Sequence, residues 1–106
     1  MEMKHAPPES EQAAAAFAAL GSEQRLAVLR ALVRAGPGGL AIGELGARCG
    51  IAGSTLSFHV RILVQAGLVR QARDGRRILC AAEMPALERL GAFLTAGCCA
   101  DMPSED

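Results

Sequence analysis

"STLSFHVRILVQAGLVRQARDGRR", residues 54–77, decides how this chain folds. In its first half Leu56, Val60, Leu63 and Val64 stand at i, i+4, i+7 and i+8, so they line one stripe of a helix that must face a core. Gly67 closes that helix. The period then changes. Asp74-Gly75 reads as a hairpin turn between Leu68-to-Arg73 and Arg76-to-Ala82, giving a two-stranded wing with arginines on both sides of its tip.

Upstream, "LAIGELGARCG" (residues 40–50) is a short helix closed by Gly50, and a three-residue link joins it to the helix above. Two helices joined by a tight, glycine-containing turn form a helix-turn-helix. Gly43 and Gly46 weaken the first of the pair, so packing must hold it. Before it, Ser22 caps "SEQRLAVLRALVRAGPGG" (22–39), where Leu26, Leu29, Leu32 and Val33 share a face and the run from Gly36 to Gly39 ends the helix. The alanine-rich "SEQAAAAFAALG" (10–21) predicts a first helix of about three turns that stops at Gly21. Downstream, Pro85 suits the first turn of a last helix, "PALERLGAFLTAG" (85–97), with a stripe of Leu87, Leu90, Phe93 and Leu94. The expected fold is mainly α (α+β): five helices plus a two-stranded β-hairpin wing. Residues 1–8 are expected to be a flexible N-terminal segment, 9–99 the folded domain and 100–106 an acidic tail.

A chain of 106 residues, 51% of them apolar, can bury one modest core and suits a single domain. No stretch approaches the roughly 20 uninterrupted apolar residues of a membrane span, and the start "MEMKHAPPES" has no apolar signal-peptide core. A cytoplasmic protein with no membrane partner is expected. In a reducing compartment Cys49, Cys80, Cys98 and Cys99 do not read as a disulfide framework, and they lack the paired C-x-x-C spacing of a zinc ribbon. No phosphate loop, no paired carboxylates in a plausible cleft and no sensibly placed Cys-His dyad are present, so an enzyme is not expected.

Formal net charge is zero, but the charges are unevenly placed. Residues 54–82 hold Arg61, Arg70, Arg73, Arg76 and Arg77 against Asp74 alone, while both ends of the chain lean acidic. Such a local basic patch suits a nucleic-acid-binding face. Opposite the apolar stripe of residues 54–66 lie Ser54, Phe58, Arg61 and Gln65, flanked by Thr55 and Ser57. Short hydroxyl side chains at a helix N-terminus let the backbone approach a duplex closely, and Arg61 adds a charge for phosphate. The plain alternative is a solvated polar face with Ser54 as its N-cap. His59 borders the apolar stripe, where a half-buried histidine with satisfied partners competes with a DNA contact. Phe58 points outward and needs something to pack on, a thymine methyl or the wing. Arg73, Arg76 and Arg77 at the tip suit a minor groove or the flanking phosphates.

On these residues the chain resembles the arsenic-resistance repressor (ArsR/SmtB) family of winged helix-turn-helix proteins. The stretch 54–77 is similar to that family's S-x-x-S-x-H-L-x-x-L-x-x-A-G-L-V and R-x-G pattern, and "LGSEQRLAVLRALV" to its L-x-x-x-x-R-L-x-I-L-x-x-L helix. The resemblance covers roughly residues 13–96. It implies a homodimer joined through the first and last helices, a recognition helix in the major groove of a double-stranded, palindromic DNA operator, and release of DNA on ligand binding. No obligatory cofactor is implied. The family's arsenic-binding C-x-C falls on Ala41 and Gly43 and is absent here. Its zinc and nickel ligands along the last helix are also absent, because that helix has only Glu88 and no histidine.

What remains is "LTAGCCADMPSED" (94–106), which is similar to the tail of an arsenic-responsive subset in which a Cys-Cys pair ends the last helix and a third cysteine follows; none follows here. Trivalent arsenic and antimony are soft centres that prefer thiolates. Cys98 and Cys99 would supply two ligands. A third could come from Cys80, from the partner subunit or from a small thiol, whereas a monosubstituted organoarsenical needs only two. Competing readings are small apolar residues or idle tail thiols, a thiol redox or reactive-sulfur switch bonding across subunits, and a winged-helix interaction module that senses nothing.

Overall fold

The computed structural model describes residues 9–104. The expected flexible segment 1–8 and the last two residues of the acidic tail lie outside the described residues. The order is α1 (Ser10–Ala19), α2 (Glu23–Ala35), β1 (Leu40–Ala41), α3 (Ile42–Cys49), α4 (Gly53–Gln65), β2 (Val69–Asp74), β3 (Arg77–Ala82) and α5 (Met84–Thr95). The five expected helices and the wing are all present. The sheet, however, has three antiparallel strands in the order β1-β3-β2 rather than two.

The extra strand is β1, whose Leu40 and Ala41 pair with Cys80 and Leu79 of β3. Two residues are too few to show a period of two, so they read as the start of the following helix. Gly39 makes the pairing possible. It sits at φ +72°, and a Cβ there would overlap the Cys80 carbonyl. In the wing Asp74 pairs with Arg77, so the two loop residues are Gly75 and Arg76, one position beyond the expected turn.

Ser22 caps α2 as its residue type suggests, accepting from the Arg25 backbone N–H at 3.2 Å. The buried stripe of α2 is Val28, Leu29 and Leu32; Leu26 and Val33, expected on that face, stay 43% and 38% exposed. The stripe that faces the core is thus rotated toward Val28. The small stripe Ala13, Ala16 and Ala19 buries one side of α1, which lies against α4 and α5. In α5 Leu90 is buried and Leu87 and Phe93 pack against the core, but Leu94 is 66% exposed.

The fully buried side chains Val28, Leu32, Leu45, Leu56, Val60, Leu63 and Cys80 come from α2, α3, α4 and β3 and form one core. At about 1.5–3 kcal/mol for each large apolar side chain removed from water, this cluster is the main favourable contribution to folding. Gly46, a poor residue for a helix, is what lets α3 and α4 meet. A Cβ there would stand 3.0 Å from the Ile51 carbonyl and 3.1 Å from a Leu56 methyl, so only hydrogen fits without a shift. Gly43 on the same helix has open space around it. Helix α4 ends with the Gly67 N–H on the Val64 carbonyl and the Leu68 N–H on the Leu63 carbonyl, which satisfies its last acceptors and turns the chain into the wing.

Candidate nucleic-acid interface and cysteine turn

Burial of Leu56, Val60 and Leu63 orients α4 completely, because the opposite side must then face solvent. Ser54, Thr55, Ser57, Phe58, Arg61 and Gln65 are all exposed on it. Ala52, not Ser54, occupies the N-cap, and no side chain caps the helix, so Ser54 and Thr55 stand exposed in the first turn. The free N–H groups of that turn and the positive end of the helix dipole favour an anion.

His59 does not belong to this face. It is 7% exposed and both ring nitrogens are engaged. The Arg25 guanidinium donates to Nδ1 at 3.3 Å, and Nε2–H donates to Gln24 Oε1 at 2.8 Å. Arg25 Nε also donates to the Ala19 carbonyl at 2.6 Å. One imidazole thereby joins α4 to the start of α2 and the end of α1. Of the two competing readings of His59, a DNA contact and a histidine with satisfied partners, the geometry matches the second and corrects the first, because neither ring nitrogen is free. No local pattern in the sequence announces Arg25 and Gln24, whose shared partner lies 34 and 35 residues away.

The wing carries Arg73, Asp74, Arg76 and Arg77, all exposed. Among the described residues, Arg73, Arg76 and Arg77 make no ion pair, whereas Arg70 is committed to structure. It bonds Glu83 Oε1 at 2.9 Å, the Ala82 carbonyl at 3.3 Å and the Pro37 carbonyl at 3.2 Å, which ties the base of the wing to the loop after α2. Three arginines at the tip therefore remain for a polyanion.

The cysteines separate into two pairs of environments. Cys80 is fully buried in the central strand, with Gln71 Nε2 donating to its sulfur at 3.7 Å. Burial pushes its thiol pKa up, against the smaller opposing effect of the Gln71 bond. Cys49 is half-buried and shifted the same way by burial. Cys98 and Cys99 are exposed in a turn beyond α5, with Gly97 at φ +78° and Cys99 itself at φ +65°. Their sulfurs lie 3.0 Å apart. The hydrogen bond with Cys98, and less so burial, raises the Cys99 pKa, because the shared proton stabilises the thiol form. Cys80 does not join them: among the described residues no three Cys, His, Asp or Glu side chains gather in a metal-binding group. Cys80, sealed in the sheet, is therefore not the third ligand that the sequence allowed within the same chain.

No helix among the described residues is long and apolar enough to cross a membrane. A family model described as a helix-turn-helix domain matches residues 20–72. An uncharacterized HTH-type transcriptional regulator, YceK of Bacillus subtilis, is 42% identical over 60 residues, a match that covers 57% of this chain and 59% of the relative's own length. Among solved structures, an ArsR family transcriptional regulator superposes with a TM-score of 0.70 at 29% identity over 84% of this chain and 89% of the other. A homodimeric winged helix-turn-helix DNA-binding domain from Mycobacterium bovis superposes at 0.66 over 91% of this chain and 88% of the other, at 23% identity, and so bears on the fold alone.

Proposed function

The chain belongs to the helix-turn-helix domain family, and from that premise we propose that it is a DNA-binding transcriptional repressor of the ArsR type, released from its operator when a trivalent arsenical or antimonite binds Cys98 and Cys99. One observation carries the DNA reading: α4 is held by a buried stripe and presents an unbroken exposed face of Ser54, Thr55, Ser57, Phe58 and Arg61, and the hairpin that follows it carries three arginines that make no ion pair among the described residues. As a homodimer joined through α1 and α5, the chain would set two such helices into successive major grooves of a palindromic site. The wings would lie on the flanking minor grooves or phosphates.

The effector reading rests on the two exposed sulfurs 3.0 Å apart. An arsenical that already carries one carbon has two positions left, which two adjacent thiolates fill; inorganic arsenite or antimonite needs a further sulfur, from the partner subunit or from a small thiol. Capture would exchange two As–O bonds of the hydroxylated arsenical for two As–S bonds, each thiol proton leaving with a hydroxyl as water, and would order the turn against α5. Such ordering releases DNA only through different effector affinities of the DNA-bound and free dimer geometries.

The test is a parallel titration of the DNA complex with arsenite, methylarsenite, antimonite, zinc and an oxidant. Methylarsenite is expected to dissociate it at the lowest concentration. Cys98→Ser with Cys99→Ser should keep the operator affinity and abolish that release. A double variant that still responds would remove the cysteine turn from the mechanism, and dissociation by the oxidant alone would make the pair a redox switch.

A further inference from the structure

We infer that Phe58 reads the 5-methyl group of a thymine in the major groove, and that the buried His59 network holds it there. The inference rests on the DNA-binding reading above and deepens it. Phe58 is 51% exposed, the only large hydrophobic residue on α4 so exposed among the described residues, and it is not one of the side chains packed against the core. It sits at i+4 from Ser54 and i−3 from Arg61, in the middle of the polar face. About half of the ring is open to water, so covering it with an apolar partner in a bound state is favourable.

Charge decides which partner that is. Phe58 lies three residues before Arg61 on the same exposed face of α4, and the hairpin after α4 carries three exposed arginines at its tip. A second copy meeting this face across a two-fold axis would set those arginines against each other, whereas a polyanion is complementary to them. On a duplex the apolar feature available at a major-groove base edge is the thymine methyl, and phenylalanine is one of the side chains that contact it.

The ring is also oriented in advance. Its centroid lies 5.5 Å from that of His59, with the planes inclined by 60°. His59 in turn cannot swing, because Gln24 and Arg25 hold both its nitrogens. The neighbouring imidazole therefore gives Phe58 a fixed wall, so less side-chain freedom is lost on binding.

The experiment uses duplexes selected by the full chain from a random-sequence pool, followed by versions in which each thymine in turn is replaced by uracil, which lacks only the methyl. At one thymine in each half-site the replacement should weaken wild-type binding about fourfold, the effect of uncovering roughly one methyl-sized group. Phe58→Ala should bind the thymine and uracil duplexes equally, and Phe58→Leu should restore part of the difference. Circular dichroism checks that both variants fold, as expected for an exposed side chain. Selected duplexes that bind the wild type with no uracil effect, or an effect of equal size in Phe58→Ala, overturn the inference and leave the DNA reading standing. Failure to select any duplex overturns both.

Discussion

Helix α4 and the Cys98–Cys99 turn both expose the groups with which this protein would meet its ligands, yet they are held in opposite ways. Helix α4 is anchored by Leu56, Val60 and Leu63 in the core, by His59 bonded to Gln24 and Arg25, and by Gly46 opening the space in which Leu56 packs. The cysteine turn has short-range bonds of its own, such as the Cys98 N–H on the Thr95 carbonyl and the Met102 N–H on the Cys99 carbonyl, and every residue from Leu94 to Ser104 is exposed. A face that reads a rigid duplex benefits from being set in advance, because little freedom is lost on binding. A site that reports a small ligand needs a segment whose order the ligand can change.

The contrast can be broken at graded cost. The largest effect on stability is expected from Gly39→Ala, which places a Cβ against the Cys80 carbonyl at positive φ and disrupts the β1–β3 pairing; urea unfolding should show a loss of about 2–4 kcal/mol. His59→Ala comes next. It leaves Gln24 and part of Arg25 without partners and frees α4 from the α1–α2 junction, at about 1–3 kcal/mol in the same measurement, with operator affinity falling as well. Alanine at Arg73, Arg76 or Arg77 should barely move the unfolding midpoint. It should instead lower the steepness of the salt dependence of DNA binding by about 0.9 for each phosphate contact removed. The smallest effect on stability, within about 0.5 kcal/mol, is expected for the Cys98→Ser and Cys99→Ser pair, the same change that should abolish the effector response. If that pair unfolds the protein, the turn is structural and the contrast fails.

Elements with a long or strongly signalled local pattern were legible. The i, i+4, i+7 stripe of α4 emerged as the buried face, Ser22 as the cap of α2, Pro85 in the first turn of α5, and Asp74-Gly75 as the neighbourhood of the hairpin turn. Where the signal was weaker, detail slipped. The hairpin register moved by one residue, because both Asp74-Gly75 and Gly75-Arg76 suit a two-residue loop. Leu26, Val33 and Leu94 share a helical face with core residues by spacing, yet among the described residues they stay 43%, 38% and 66% exposed.

The sequence by itself determined the helix-turn-helix, the wing and the polar face of α4, because periodicity, capping chemistry and turn residues act over a few positions and need no distant partner. Only the tertiary structure decided that Leu40 and Ala41 form a strand, that His59 belongs to an internal network, that Arg70 is spent on the base of the wing and that Cys80 stands apart from Cys98 and Cys99. Each of these depends on contacts between residues far apart in the chain, and a short-range pattern carries no record of which distant group will arrive.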